Sequence, residues 1–188
     1  MIVGNDIIDM ELASKQSNWK RPRYLDKICT VKEQNLIECS EEPDVMVWRL
    51  WSMKEAAYKL YTQLYPSRFY NPKAFEYSLE DGGVVRYRTF ICYVKTRMTS
   101  RYMVSEASIE RRHTTSKVIE LNATSPCAQS RVLRDKALSF VSQQLHCDKN
   151  DLRFVKREYG IPTIQYNTKD FNISLSHHGQ FGAIAFAP

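Results

Sequence analysis

Three residues of this 188-residue chain have the types and spacing to do chemistry together: Asp6, Glu55 and Lys59. Asp6 lies in a β-rich opening stretch, residues 2–10. Period-two alternation puts it on one face with Ile2, Gly4, Ile8 and Met10. Glu55 lies in WSMKEAAYK, residues 51–59. At roughly 100° per residue it shares a helical stripe with Val47, Trp48, Trp51 and Tyr58, where an apolar residue is expected. A carboxylate on an otherwise buried face meets a cation or a metal, or takes up a proton. If the two converge, an oxygen-rich pair with few protein ligands suits Mg²⁺, which completes its shell with water and substrate phosphates. The structural alternative is separate salt bridges, such as Glu55 with Lys59 one turn on.

A second polar group, Ser174-Leu175-Ser176-His177-His178-Gly179, ends a strand and enters a turn. Hydroxyl, imidazole and turn amides can all donate to a phosphate; a plain polar turn is the other reading. Adjacent histidines on one strand point apart, with no Cys or third His nearby, so a zinc site is disfavoured. A Ser-His-Asp hydrolase is disfavoured too, since there is no GxSxG elbow. Basic residues cluster at Lys15, Lys20, Arg21, Arg23 and Lys27, interrupted by Trp19 and Tyr24. Such a run is a solvated face, a docking surface for an acidic protein helix, or a nucleic-acid surface.

These residues need elements to position them. Thr30 and Glu33 have the spacing of a capping box opening a helix to Cys39, a structural role for Glu33. A helix is expected from about Asp44 to Leu64, after Pro43. Residues 75–104 read as strands, with Asp81-Gly82-Gly83 as a hairpin turn. The polar, Ser/Thr-rich stretch 113–126 reads as a connector. A helix over 128–145 follows, then strands near 152–155, 163–166, 173–176 and 182–187.

The chain is 43% hydrophobic, enough for one core and short for two independent domains. Its formal charge of +6 and pI near 9.0 suggest an acidic partner without choosing one. Five widely spaced cysteines include no CxxC pair and read as reduced thiols. The opening MIVGNDIIDM lacks a signal-peptide core, and no run approaches the ~20 apolar residues of a membrane span. The expectation is a cytoplasmic protein with no membrane partner.

Gly4-Asn5-Asp6-Ile7-Ile8-Asp9, WSMKEAAYK and Asn172-Ile173-Ser174-Leu175-Ser176-His177 resemble the signature segments of the 4′-phosphopantetheinyl transferase superfamily. Asp148 to Pro162, DKNDLRFVKREYGIP, resembles the segment ending in GKP of the larger, surfactin-synthetase-type members. Only about residues 80–126 lie outside these similarities. The resemblance implies an α+β fold of two pseudo-symmetric halves, here 1–112 and 127–188 of a single domain. It implies transfer of phosphopantetheine from coenzyme A to a serine of an acyl or peptidyl carrier protein, with release of adenosine 3′,5′-bisphosphate. By motif position, Asp6 and Glu55 would hold Mg²⁺, with Glu55 also a candidate base. Lys59 would meet the leaving phosphate, and Ser176, His177 and Arg131 would contact coenzyme A. Lys15, Lys20, Arg21 and Arg23 would then dock the carrier protein. A nucleic-acid partner is not expected. A non-catalytic coenzyme A or carrier-protein binding module of the same fold is the alternative.

The chain departs from the larger members at three points. Ile161 stands where GKP has lysine, so one ionic contact to coenzyme A is missing or is supplied by Lys156 or Arg157. Ile8 stands at their second acidic position, as in the small holo-acyl-carrier-protein synthases. The order, with Asp6 and Glu55 before His177, is that of the small synthases, whereas the second half resembles the first half of the larger type. A permuted two-half protein is the expectation, a monomer first and a homotrimer with sites between subunits, as in the small synthases, as the alternative.

Overall fold

The structure, a computed structural model, describes residues 2–16, 18–69, 71–78, 83–111, 116–123 and 125–187. The expected turn residues Asp81 and Gly82, and residues 113–115 and 124 of the expected connector, lie outside these.

The first half runs β1 (Gly4–Asp9), α1 (Met10–Gln16), α2 (Tyr24–Ile28), α3 (Val31–Glu38), α4 (Pro43–Leu64), β2 (Glu76–Ser78), β3 (Val84–Tyr87), β4 (Phe90–Met98) and β5 (Tyr102–Ser108). Its strands form an antiparallel sheet in the order β1-β5-β4-β3-β2. The second half runs β6 (Ser116–Glu120), α5 (Pro126–Leu145), β7 (Leu152–Lys156), β8 (Pro162–Tyr166), β9 (Lys169–His178) and β10 (Phe181–Phe186), in the order β6-β10-β9-β8-β7. Each half is thus a strand, a long helix and a four-strand meander whose last strand returns to pair with the first. This repeat of topology makes the fold α+β in two pseudo-symmetric halves. Sequence self-similarity does not reveal it.

Strand β6 falls inside the stretch expected to be connector. Its Ser116, Lys117 and Glu120 made it look like loop, but pairing with β10 satisfies its backbone, Val118 packing on the cluster around Phe181.

Strand β1 departs from simple alternation, since all six of its residues are buried. Gly4, Asp6 and Ile8 face α4. On the other face, Ile7 packs with Val104, Phe181 and Ala183, and the Asn5 backbone N–H donates to Ser174 Oγ at 2.9 Å. The second half covers the face that a one-layer reading leaves to solvent. Gly4 permits the close approach to α4, because a Cβ there would lie 2.0 Å from the Ala56 carbonyl oxygen.

Helix α4 begins with Pro43 in its first turn, where the missing N–H costs nothing. Val47 and Trp48 of the expected stripe are buried, but the rest of the buried face is Leu50, Ser52, Met53, Lys54, Ala56, Ala57 and Leu60, rotated from that stripe. Trp51, Glu55 and Tyr58 lie half-buried at the margin of that face, Trp51 and Tyr58 packed against the core and Tyr58 also lining the cleft. The aromatic side chains misled the periodicity, because their large rings cover the edge of the contact.

The capping box is present: Thr30 Oγ1 accepts from the Glu33 amide, and Glu33 Oε2 accepts from the Thr30 amide at 2.8 Å. Glu33 does more than cap. Its fully buried carboxylate meets Lys54 Nζ at 2.5 Å and accepts from the Tyr77 amide at 2.9 Å. Lys54 also donates to the Ile28 carbonyl at 2.6 Å. This buried pair fixes the roll of α4 beside α3 and so aims the next residue, Glu55, toward the cleft.

Candidate active site

The cleft lies where β1 and α4 of the first half meet β9 and the β7–β8 turn of the second. Asp6 enters from β1, and Lys59 from α4 donates to its Oδ1 at 2.9 Å. The second carboxylate oxygen, Oδ2, is buried with no hydrogen-bond partner. Glu55, one turn before Lys59, is pushed up to about 7, first by burial and then by the negative charge of Asp6, with Lys59 opposing. Lys59 therefore pairs with Asp6 rather than with Glu55, contrary to the helical i,i+4 alternative.

Two carboxylates, the charge of Asp6 raising the proton affinity of Glu55 and one Asp6 oxygen orphaned, form a donor set that a hard divalent cation would satisfy. Among the described residues no cluster of three or more His, Cys, Asp or Glu is placed to hold a metal. Such an ion would thus rely on water and a phosphate-bearing substrate for the rest of its shell.

On β9, Ser176 and His177 are neighbours and leave opposite faces of the strand. Ser176 Oγ is buried without a partner, while His177 lines a cavity of about 200 Å³ with Ser130, Arg134, Phe154 and Lys156. Partial burial, then the charges of Lys59 and His178, hold the His177 imidazole below its ordinary range. A second cavity, of about 250 Å³, lies across the ridge formed by Gly160, Pro162 and Leu175. Its walls include Lys59, Arg68 and Ile161. No Asp or Glu lines either cavity, so both are electropositive.

Arg131 is exposed on α5 and lines neither of these cavities, whereas Arg134, one helical turn on, lines the His177 cavity. Arg157, one expected substitute for the lysine missing at Ile161, is ion-paired to Asp170 instead. Of the basic cluster, Lys15 and Lys20 line a groove of about 560 Å³ with Met10, Ala13, Trp19, Trp48 and Asp44, whose carboxylate accepts from Trp19 Nε1 and pairs with Lys20. Arg21 stacks on the Tyr24 ring at 4.7 Å, and Arg23 precedes α2 with a left-handed backbone. Both are exposed and outside that groove.

Sequence reading missed Asp9 and His178. Asp9 Oδ1 accepts from the Leu12 amide at 3.1 Å, and Oδ2 from the Gln180 amide at 3.0 Å. The Asp9 amide in turn donates to His178 Nδ1 at 3.0 Å. These bonds tie the end of β1 to the β9–β10 turn, next to His177. Gly179 there has φ +57, and a Cβ would fall 2.2 Å from Asp9 Oδ2. The usable signal was an aspartate three residues before Leu12, the spacing of a helix cap.

Residues 2–118, more than half of the chain, match the 4′-phosphopantetheinyl transferase superfamily, and the chain belongs to that superfamily. The match covers β1, α4 and the first sheet, hence Asp6, Glu55 and Lys59. No curated protein matches the chain. Among the described residues, no helix is long and apolar enough to cross a membrane.

Proposed function

We propose that this protein transfers 4′-phosphopantetheine from coenzyme A to a serine hydroxyl of an apo acyl or peptidyl carrier protein. The observation that carries this reading is the convergence of Asp6, Glu55 and Lys59, with Lys59 lining an electropositive cavity beside them, in a chain of this superfamily. The serine oxygen bonds to the β-phosphorus, the bond to the bridging oxygen breaks, and adenosine 3′,5′-bisphosphate leaves. Asp6 and Glu55 would hold Mg²⁺. When bound, the ion neutralises pyrophosphate charge and polarises the phosphorus–oxygen bonds.

The chain's own groups supply the rest. Lys59 is held in place by Asp6 and offers its remaining N–H donors to the leaving phosphate. Glu55, with its raised proton affinity, is suited to take the serine proton. His177, with Arg134 and Lys156, adds a second group of phosphate donors. The groove rimmed by Lys15 and Lys20 and floored by Met10, Ala13 and Trp48 fits an amphipathic acidic helix of a carrier protein. Both walls of the cleft come from one chain, so a monomer is sufficient.

The test is incubation of the protein with coenzyme A, Mg²⁺ and apo carrier proteins of fatty-acid, polyketide and peptide synthesis. Mass spectrometry should show the phosphopantetheine gain on at least one. Tight coenzyme A binding with no transfer to any of them would leave a non-catalytic binding module instead.

A further inference from the structure

Gln63 stands one turn after Lys59 on α4 and is held by both halves of the molecule. Its Nε2 donates to the Val3 carbonyl of the first half at 2.8 Å and to the Ile173 carbonyl of the second at 3.2 Å. Both amide protons are thereby used. Chemistry fixes this orientation, because a flipped amide would set its oxygen against two carbonyl oxygens. As oriented, Oε1 is buried with no hydrogen-bond partner, an orphan that an apolar side chain would avoid. Gln63 borders the cavity of about 250 Å³ beside Lys59, yet it has neither a free donor nor an exposed acceptor to offer a ligand there. Its bonds go to the backbone instead.

The two carbonyls are placed alike. Val3 lies three residues before Asp6, and Ile173 three residues before Ser176. From that point β1 and β9 run side by side, joined by the Asn5 N–H to Ser174 Oγ at 2.9 Å and the Asp9 N–H to His178 Nδ1 at 3.0 Å. Three elements that carry the candidate site, β1, α4 and β9, are thus tied at one amide. We propose that Gln63 is a positioning residue for the transfer reaction, fixing the separation between the wall that carries Asp6, Glu55 and Lys59 and the strand that carries Ser176 and His177. This rests on the transferase reading above. A substrate gripped from both walls loses its alignment when they shift, and a displacement of about 1 Å can cost about a hundredfold in rate.

Two variants of the full chain test this. Gln63→Met keeps the length of the side chain and removes both donors, whereas Gln63→Asn keeps the amide and loses its reach. With coenzyme A, Mg²⁺ and an apo carrier protein, kcat should fall about tenfold or more in both. The carrier's KM should stay, because the groove with Lys15 and Lys20 lies wholly in the first half. A second readout needs no substrate. Amide hydrogen exchange followed by NMR should quicken about tenfold at Asn5 and Asp9, whose N–H groups cross between the halves, and stay unchanged in β4, away from that seam. Melting temperatures should remain near that of wild type. Wild-type kcat or wild-type exchange at Asn5 and Asp9 in either variant would overturn the role. So would a loss of kcat that merely follows a lowered melting temperature. Each of these leaves the transferase reading intact. No transfer by wild type to any carrier would instead overturn that reading, and the positioning role with it.

Discussion

Lys59 Nζ lies 2.9 Å from Asp6 Oδ1, although 53 positions separate the two residues. The contact exists because Gly4 lets β1 approach the backbone of α4 closely. It orders one carboxylate oxygen and leaves the other buried and free to take a ligand. Glu55 sits one turn away, uncompensated by that lysine in any hydrogen bond, and answers by holding its proton more tightly.

The proton and a divalent ion therefore compete for Glu55. With its carboxyl near 7, Glu55 is mostly ionised at pH 8 and about one-tenth ionised at pH 6. Calorimetric titration with Mg²⁺ and coenzyme A should show apparent metal affinity falling roughly tenfold from pH 8 to pH 6. A flat profile would assign the metal elsewhere.

Stability should move the other way in the metal-free protein. A folded-state pKa raised above the ordinary 4.5 means that the folded chain binds the proton better. That contribution is fully present below the unfolded value and is lost as pH rises through about 7. Glu55→Gln should then raise the melting temperature at pH 8 while lowering kcat by about a hundredfold or more. A lowered melting temperature would show that the ionised carboxylate is structurally required.

The Glu33–Lys54 pair should be the costliest ion pair to break. Lys54→Met leaves a buried carboxylate without its cation and should cost about 3–5 kcal/mol by urea denaturation. Lys15→Ala, which breaks the exposed pair with Glu11, should cost under about 1 kcal/mol. Comparable losses in the two variants would mean that water reaches the Glu33 site.

Gly4→Ala tests whether the approach of β1 to α4 builds the site. The added Cβ meets the Ala56 carbonyl, and overpacking of this kind costs about 1–3 kcal/mol or more. Transfer activity should fall further than stability accounts for at temperatures where the variant is still folded. Activity that tracks the folded fraction alone would separate the glycine from the site.

Carrier recognition should be electrostatic and local to the groove. Reversing Lys15 and Lys20 to Glu should raise the carrier's KM about tenfold and leave the KM for coenzyme A unchanged, with added salt acting in the same sense. Reversing Arg21 and Arg23, which lie outside the groove, should do less. Equal effects would point to a diffuse basic surface.

The sequence by itself determined the local elements and the types of group available. The Thr30–Glu33 cap, the span of α4 from Pro43 and the placement of Asp6 and Glu55 on regular elements follow from short-range rules of hydrogen bonding and periodicity. Motif similarity supplied the superfamily. Only the tertiary structure decided which charges meet. Lys59 turned to Asp6 because a strand 53 residues away packs closer to it than Glu55 on its own helix face can reach. It also decided that β1 is covered on both faces, that a polar stretch becomes β6, and that Arg134 rather than Arg131 reaches the cleft. Each depends on what the second half places against the first, and no local pattern of residues encodes that.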